Sequence, residues 1–151
     1  MKALGEHGVP VPRMKLFCED RSVIGTPFYL MEFMDGRIFL DPALPGLEPG
    51  ERRQIYDEMN RVIAVLHGVD VAAAGLADYG RPGNYFERQI GRWSRQYRES
   101  ATEPIAAMDE LMAWLPVHIP PGDETCVVHG DYRIDNLVFD RHEAQIGRAH
   151  V

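Results

Sequence analysis

The sequence predicts an α+β domain, and three observations predict it. Two short apolar stretches rich in aromatic residues lie near the start, three segments with apolar residues at helical spacing fill the middle, and a run of hydrophobic–polar–hydrophobic character closes the chain. Strands that come before and after a block of helices, rather than alternating with them, are the pattern of a fold whose sheet and helices are segregated.

Met1-Lys2-Ala3-Leu4-Gly5 enters as if partway through a helix, with no capping residue before it, and runs into Val9-Pro10-Val11-Pro12. Met14 to Glu19 and Pro27 to Phe33 read as strands. The turn formers Glu19-Asp20-Arg21-Ser22 and Gly25-Thr26-Pro27 lie between them, so the pair should be antiparallel. Asp41 to Gly50 carries three prolines and two glycines and is expected to be a loop.

In the first long helix Ile55, Met59, Val62 and Leu66 recur on one face, while Arg52, Arg53, Asp57 and Arg61 fill the solvated face. His67, before Gly68, closes it as a C-terminal charge or hydrogen-bond device. The second helix takes Asn84 as N-cap with Glu87 three residues on, and stripes Phe86, Ile90, Trp93 and Tyr97. The third starts near Thr102 and Pro104 and turns Ile105, Met108, Leu111, Met112 and Leu115 inward. All three stripes are read as core. Pro116 to Gly122 ends the helices, Thr125 to Val128 reads as a short buried strand, and Asn136 to Phe139 as another.

The chain has 151 residues, enough for about one domain with a real core. Its formal net charge of −7 argues against a nucleic-acid partner, because phosphate binding needs a basic footprint. No apolar run approaches the about 18 residues that span a bilayer, and the start has no signal-peptide pattern, so no membrane partner is expected. Cys18 and Cys126 have no neighbouring cysteine, which fits a reducing, cytoplasmic setting. His118, His129, Asp131 and His142 follow no usual metal-ligand spacing. The terminal Ile146-Gly147-Arg148-Ala149-His150-Val151 matches the translation of a common sequencing adapter in one frame. It is read as a processing scar and left out of the fold, and the chain is read as a fragment.

The chemistry lies in Val127-Val128-His129-Gly130-Asp131-Tyr132-Arg133-Ile134-Asp135-Asn136-Leu137-Val138-Phe139. An Asp on a loop between rigid elements can take a proton from a hydroxyl. An Asn five residues on can turn its amide oxygen toward a metal shared with phosphates, and an Arg between them can neutralise a transferring phosphoryl group. Phosphoryl transfer needs these parts, since its catalysis is mostly positioning and charge stabilisation. Taken alone, Asp131 could equally cap a turn and Asn136 stop a loop.

Three blocks in order, Val9-Pro10-Val11-Pro12, Gly25 to Phe33 and His129 to Asn136, resemble the aminoglycoside phosphotransferase and choline kinase-like family. His-Gly-Asp-x-x-x-x-Asn is similar to the His-Arg-Asp-x-x-x-x-Asn loop of protein kinases. The wording is nearest to the branch that accompanies acyl-CoA dehydrogenases in some proteins. The resemblance runs from Val9 to about Phe139 and implies a partial protein-kinase-like fold, with the end of the N-lobe sheet, the hinge and a helical C-lobe. On that basis 1–36 would be N-lobe remnant and hinge, 37–145 the helical lobe with its catalytic loop, and 146–151 the scar.

The resemblance implies ATP and Mg2+ as cofactors and a small-molecule hydroxyl as acceptor, more in keeping with a hydroxy acid or its CoA thioester than with an aminoglycoside. An association with acyl-CoA dehydrogenases in the parent family follows from the same branch. Asp131 would be the catalytic base, Asn136 a magnesium ligand, and Arg133 the basic residue facing the γ-phosphate. His129 would hold the loop, and Glu32-Phe33-Met34 would offer main-chain groups to adenine. Tyr85, Trp93, Tyr97 and Trp114 are either acceptor-pocket lining or core. The family's glycine-rich loop, strand lysine and second metal-binding Asp are not among these residues. The 151-residue polypeptide by itself is therefore expected to be inactive. The alternative reading is a non-catalytic kinase-like module that binds nucleotide or a partner.

Overall fold

The computed structural model describes residues 1–81, 83–122 and 124–149. His150 and Val151, the end of the hexapeptide set aside above, lie outside the described residues. The chain divides into two compact units, one formed by Met1–Asp78 with the chain from Cys126 onward, the other by Tyr79–Thr125.

In the first unit a short helix α1 (Lys2–Glu6) leads to strands β1 (Met14–Cys18) and β2 (Phe28–Met31), paired antiparallel with Leu16 opposite Leu30 and Cys18 opposite Phe28. The turn signals between them build a one-turn helix α2 (Arg21–Ile24): Asp20 Oδ1 caps it by accepting the Ser22 N–H at 2.8 Å, and Gly25 closes it. Residues 41–48 are irregular, as their prolines require, and helix α3 (Pro49–His67) follows. Pro49 opens α3 where no N–H is needed, and the side chains of Glu48 and Glu51 cap it reciprocally.

The face of α3 read from the sequence is the face that packs. Ile55, Val62 and Leu66 are buried, and Met59 packs beside them. Ile55 and Val62 join Leu44, Ile134, Leu137, Phe139 and Ile146 in one core cluster. Leu66 belongs to a second, with Leu4, Val9, Val11, Val69 and Ala74. The polar face carries Arg53 paired with Asp57 at 3.4 Å and Arg61 paired with Glu58 at 2.6 Å.

One sequence expectation fails before the loop that follows. Thr125 to Val128 is not a strand. The strands that do form there are β3 (Leu137–Phe139) and β4 (Ile146–Ala149), which pair with each other, and Phe139 also bridges to Arg37. Ile146–Ala149, the described part of the terminal hexapeptide, pair with β3 as β4, and Ile146 is buried.

The second unit holds helices α4 (Tyr85–Ser100) and α5 (Ala106–Trp114), the latter continued by a 3-10 turn over Leu115–Val117. Both helices start close to where the sequence places them, but neither buries a residue. Asn84 occupies the N-cap position in left-handed backbone without the capping bond that was expected. Phe86, Trp93, Ile105 and Leu111 are exposed while Ile90, Tyr97, Met108, Met112 and Leu115 are half-buried, so the two stripes read as core are covered only in part. Two short helices give each other too narrow a surface to cover a wide apolar face. Among the described residues no helix is long and apolar enough to cross a membrane.

Candidate active site

The loop between His129 and Leu137 is held by side chains that point inward at uneven spacing. Ile134, Leu137 and Phe139 are buried in the core cluster, and Tyr132 packs against it. A 3-10 turn over Ile134–Asn136 takes up the change of direction and leaves Asp135 and Asn136 beside the surface. Ahead of it, Gly130 adopts φ +36°, and the Asp131 N–H donates to His129 O across it in a three-residue turn.

Within this loop three of the residues singled out by the sequence come together. The Asn136 amide Nδ2 donates to the Asp131 carboxylate Oδ2 at 2.8 Å and to the Asp131 carbonyl at 2.9 Å. Both bonds use the nitrogen, so the amide oxygen Oδ1 is left to accept from, or ligate, another group. Arg133 Nε lies 3.4 Å from Asp131 Oδ1, and its Nη2 donates to Asp135 Oδ2 at 2.7 Å. Asp131 and Arg133 stay about two-thirds exposed, with side-chain accessibilities of 65% and 62%, so an incoming ligand can reach both.

Tyr132 fixes this group to α3: its hydroxyl donates to the Met59 carbonyl at 2.8 Å, and its ring stands edge-on to His129 at 5.3 Å. Burial, reinforced by the Glu58 carboxylate, pushes its ionisation up to about 12. Tyr132 and Asp135 were not singled out in the sequence. The signal for Asp135 was present in the alternation Asp131, Arg133, Asp135 along a loop; for Tyr132 it was an amphipathic ring between two polar catalytic candidates.

Beside the loop a 420 Å³ cavity is lined by Leu40, Pro42, Tyr56, Met59, Arg133 and Asp135. Glu32, Phe33 and Met34, expected from the sequence to form the hinge, lie on a different segment, directly after β2. Glu32 is tied to Arg13 through both its N–H, which donates to Arg13 O at 3.0 Å, and its carboxylate, which accepts the Arg13 N–H at 2.9 Å. Phe33 is 90% exposed. Tyr85, Trp93 and Trp114, given two readings above, are exposed and not core; Tyr97 is half-buried.

The donor set suits a hard cation. Mg2+ takes oxygen ligands, keeps several waters, and is commonly held by one or two protein groups together with substrate phosphates. Asn136 Oδ1 and the Asp131 carboxylate are such groups. Among the described residues no cluster of three or more His, Cys, Asp or Glu forms a closed metal cage.

The model of the phosphotransferase enzyme family matches residues 1–147. The chain belongs to that family. This phosphotransferase-family chain superposes on the crystal structure of a "putative aminoglycoside phosphotransferase" from Ralstonia eutropha JMP134 with a TM-score of 0.92 and 58% identity, over 97% of this chain and 45% of that one. The fold is therefore kinase-like, a mixed helix and sheet domain represented in part. Acyl-CoA dehydrogenase family member 10 of Mus musculus is 50% identical over 146 residues, covering 97% of this chain and 14% of that protein. Acyl-CoA dehydrogenase family member 11 of Homo sapiens is 43% identical over 146 residues, covering 96% and 19%. The chain thus spans less than a fifth of the length of these relatives.

Proposed function

We propose that this chain carries the catalytic loop of an ATP-dependent phosphotransferase that moves the γ-phosphoryl group to a small-molecule hydroxyl. The observation that supports it best is the Asn136–Asp131 clamp. One amide nitrogen orients the carboxylate that would accept the hydroxyl proton, while the oxygen of the same amide faces away to hold Mg2+. Base and metal ligand are then positioned by one side chain, and positioning is what phosphoryl transfer chiefly needs. Mg2+ would supply charge neutralisation on the bridging phosphate oxygens when bound. Arg133, released from Asp135, would face the γ-phosphate. The main-chain groups of Phe33 and Met34 enter no hydrogen bond among the described residues, which suits them to adenine.

For the acceptor, the cavity beside Arg133 is lined mainly by apolar groups. A polycationic aminoglycoside would want free carboxylates there, and Asp135 is already paired with Arg133. A hydroxy acid or its CoA thioester fits better, in keeping with the acyl-CoA dehydrogenase names of the relatives.

The decisive experiment is an NMR titration of the 15N-labelled chain with Mn2+ and a non-hydrolysable ATP analogue. Paramagnetic broadening should centre on Asp131 and Asn136, and Asn136→Ala should abolish it. Broadening that is absent, or that centres elsewhere, would refute the assignment. The 151-residue polypeptide is also proposed to lack turnover by itself, and magnesium-dependent ATP hydrolysis by the purified chain would overturn that part.

A further inference from the structure

We infer that Arg37 is a positioning residue that sets the spacing between the adenine-binding hinge and the strand that follows the metal ligand Asn136; this rests on the phosphotransferase reading above. Arg37 lies three residues after Met34, and Phe139 three residues after Asn136. These two positions are joined directly. The Arg37 N–H donates to Phe139 O at 2.8 Å, and the Phe139 N–H donates to Arg37 O at 2.9 Å. Each half-site is thus at most about 10 Å of extended chain from the same bridge.

The Arg37 side chain reinforces that bridge from the far side. Nε donates to Asp140 O at 2.8 Å and Nη2 to Glu143 O at 2.7 Å, so one planar fork holds two carbonyls of the turn after β3. The guanidinium also sits 5.4 Å above the Phe39 ring, which packs on Phe139 at 5.3 Å. Next to it Arg141 Nη2 pairs with Asp35 Oδ1 at 2.5 Å. The glycine before Arg37 permits the approach, because a Cβ on Gly36 would lie 2.2 Å from Phe139 O. The hinge-following segment and the end of β3 therefore form one rigid piece, with adenine contacts on one arm and the metal ligand on the other.

A ligand that occupies both arms gains from that rigidity, whereas a ligand on one arm does not. The test measures three probes by NMR titration on the 151-residue chain: adenosine for the hinge, Mn2+ for Asn136, and the magnesium complex of adenylyl imidodiphosphate for both. Arg37→Ala should weaken the two-armed nucleotide about tenfold while adenosine and Mn2+ change less than about twofold. Arg37→Lys should not restore it, since one ammonium cannot hold both carbonyls in a fixed fork. It also serves as the readout if the alanine variant does not fold. Equal weakening of all three probes, or no change in the two-armed one, would overturn the inference. If the unmutated chain binds neither adenosine at Phe33–Met34 nor Mn2+ at Asn136, the phosphotransferase assignment of these residues fails first and takes the inference with it.

Discussion

Replacing Gly36 by alanine tests the bridge at its tightest point. Gly36 lies outside the left-handed region, so backbone conformation does not confound the result. The added methyl would meet Phe139 O at 2.2 Å and Val138 Cγ1 at 2.6 Å, and neither can yield easily. Phe139 is 0% exposed, and its carbonyl belongs to the ladder. Overpacking of this kind costs about 1–3 kcal/mol. Moving the segments apart also strains or breaks the two Arg37–Phe139 backbone bonds, each contributing about 0.5–1.5 kcal/mol. The expected loss is about 2–6 kcal/mol in all. In urea, with an m-value of about 2 kcal/mol per molar, the unfolding midpoint falls by about 1–3 M. Gly50→Ala in the first turn of α3 is the control, because nothing lies within 4 Å of its Cβ position. That variant should be neutral or stabilising by up to about 1 kcal/mol. A Gly36→Ala protein within about 0.5 kcal/mol of the parent would refute the reasoning, since that is the range of an uninvolved surface position.

Three further outcomes follow from the same contacts. Tyr132 ionises at about 12 in the folded chain against an ordinary 10, so its contribution is complete below pH 10 and is lost as pH rises through the folded value. Alkaline unfolding followed by circular dichroism should shift upward in Tyr132→Phe, at a neutral-pH cost of about 0.5–1.5 kcal/mol for the bond to Met59 O. The Glu58 carboxyl is held below its ordinary range by the hydrogen bond from Arg61, against the opposing effect of burial and with help from the Ile146 N–H. Its stabilisation is present above the ordinary glutamate value and is lost as pH falls through the lowered one. Glu58→Gln should therefore flatten the acid limb of a stability–pH curve, and an unchanged limb would count against the assignment. Phe139→Ala, at a fully buried position, should cost about 3–5 kcal/mol, measured by the same urea titration.

The sequence was most readable where one surface of one element settles the matter. The α3 stripe is an example, because Ile55, Val62 and Leu66 recur often enough to define a face and one core receives them. The contact within the His129–Asn136 loop was readable for a different reason: Asp131 and Asn136 are five residues apart, so their meeting through the Asn136 amide is a local event. Readability failed where the outcome depended on distant partners. Thr125 to Val128 has strand-like composition, but β3 takes its partners from β4 and, at Phe139, from Arg37. Phe86, Trp93 and Leu111 have helical spacing, yet periodicity says only that a face is apolar, not that another element covers it. Arg37 was passed over because its two carbonyl partners lie 103 and 106 residues away.

The interrupted course of the first unit has a consequence for how this chain comes apart. Its core takes Leu44, Ile55 and Val62 from before the second unit, and Ile134, Leu137, Phe139 and Ile146 from after it. Between them, α4 and α5 hold no fully buried residue, so their opening free energy falls at the low end of the range for native proteins. Trypsin offered the native chain should cut first at Arg88, Arg92, Arg95 or Arg98, on these lightly held turns. The nick would not dissolve the site. The N-terminal piece would keep Glu32–Met34, the C-terminal piece the Asp131–Asn136 clamp, and the shared apolar core would hold the two peptides together without a covalent link.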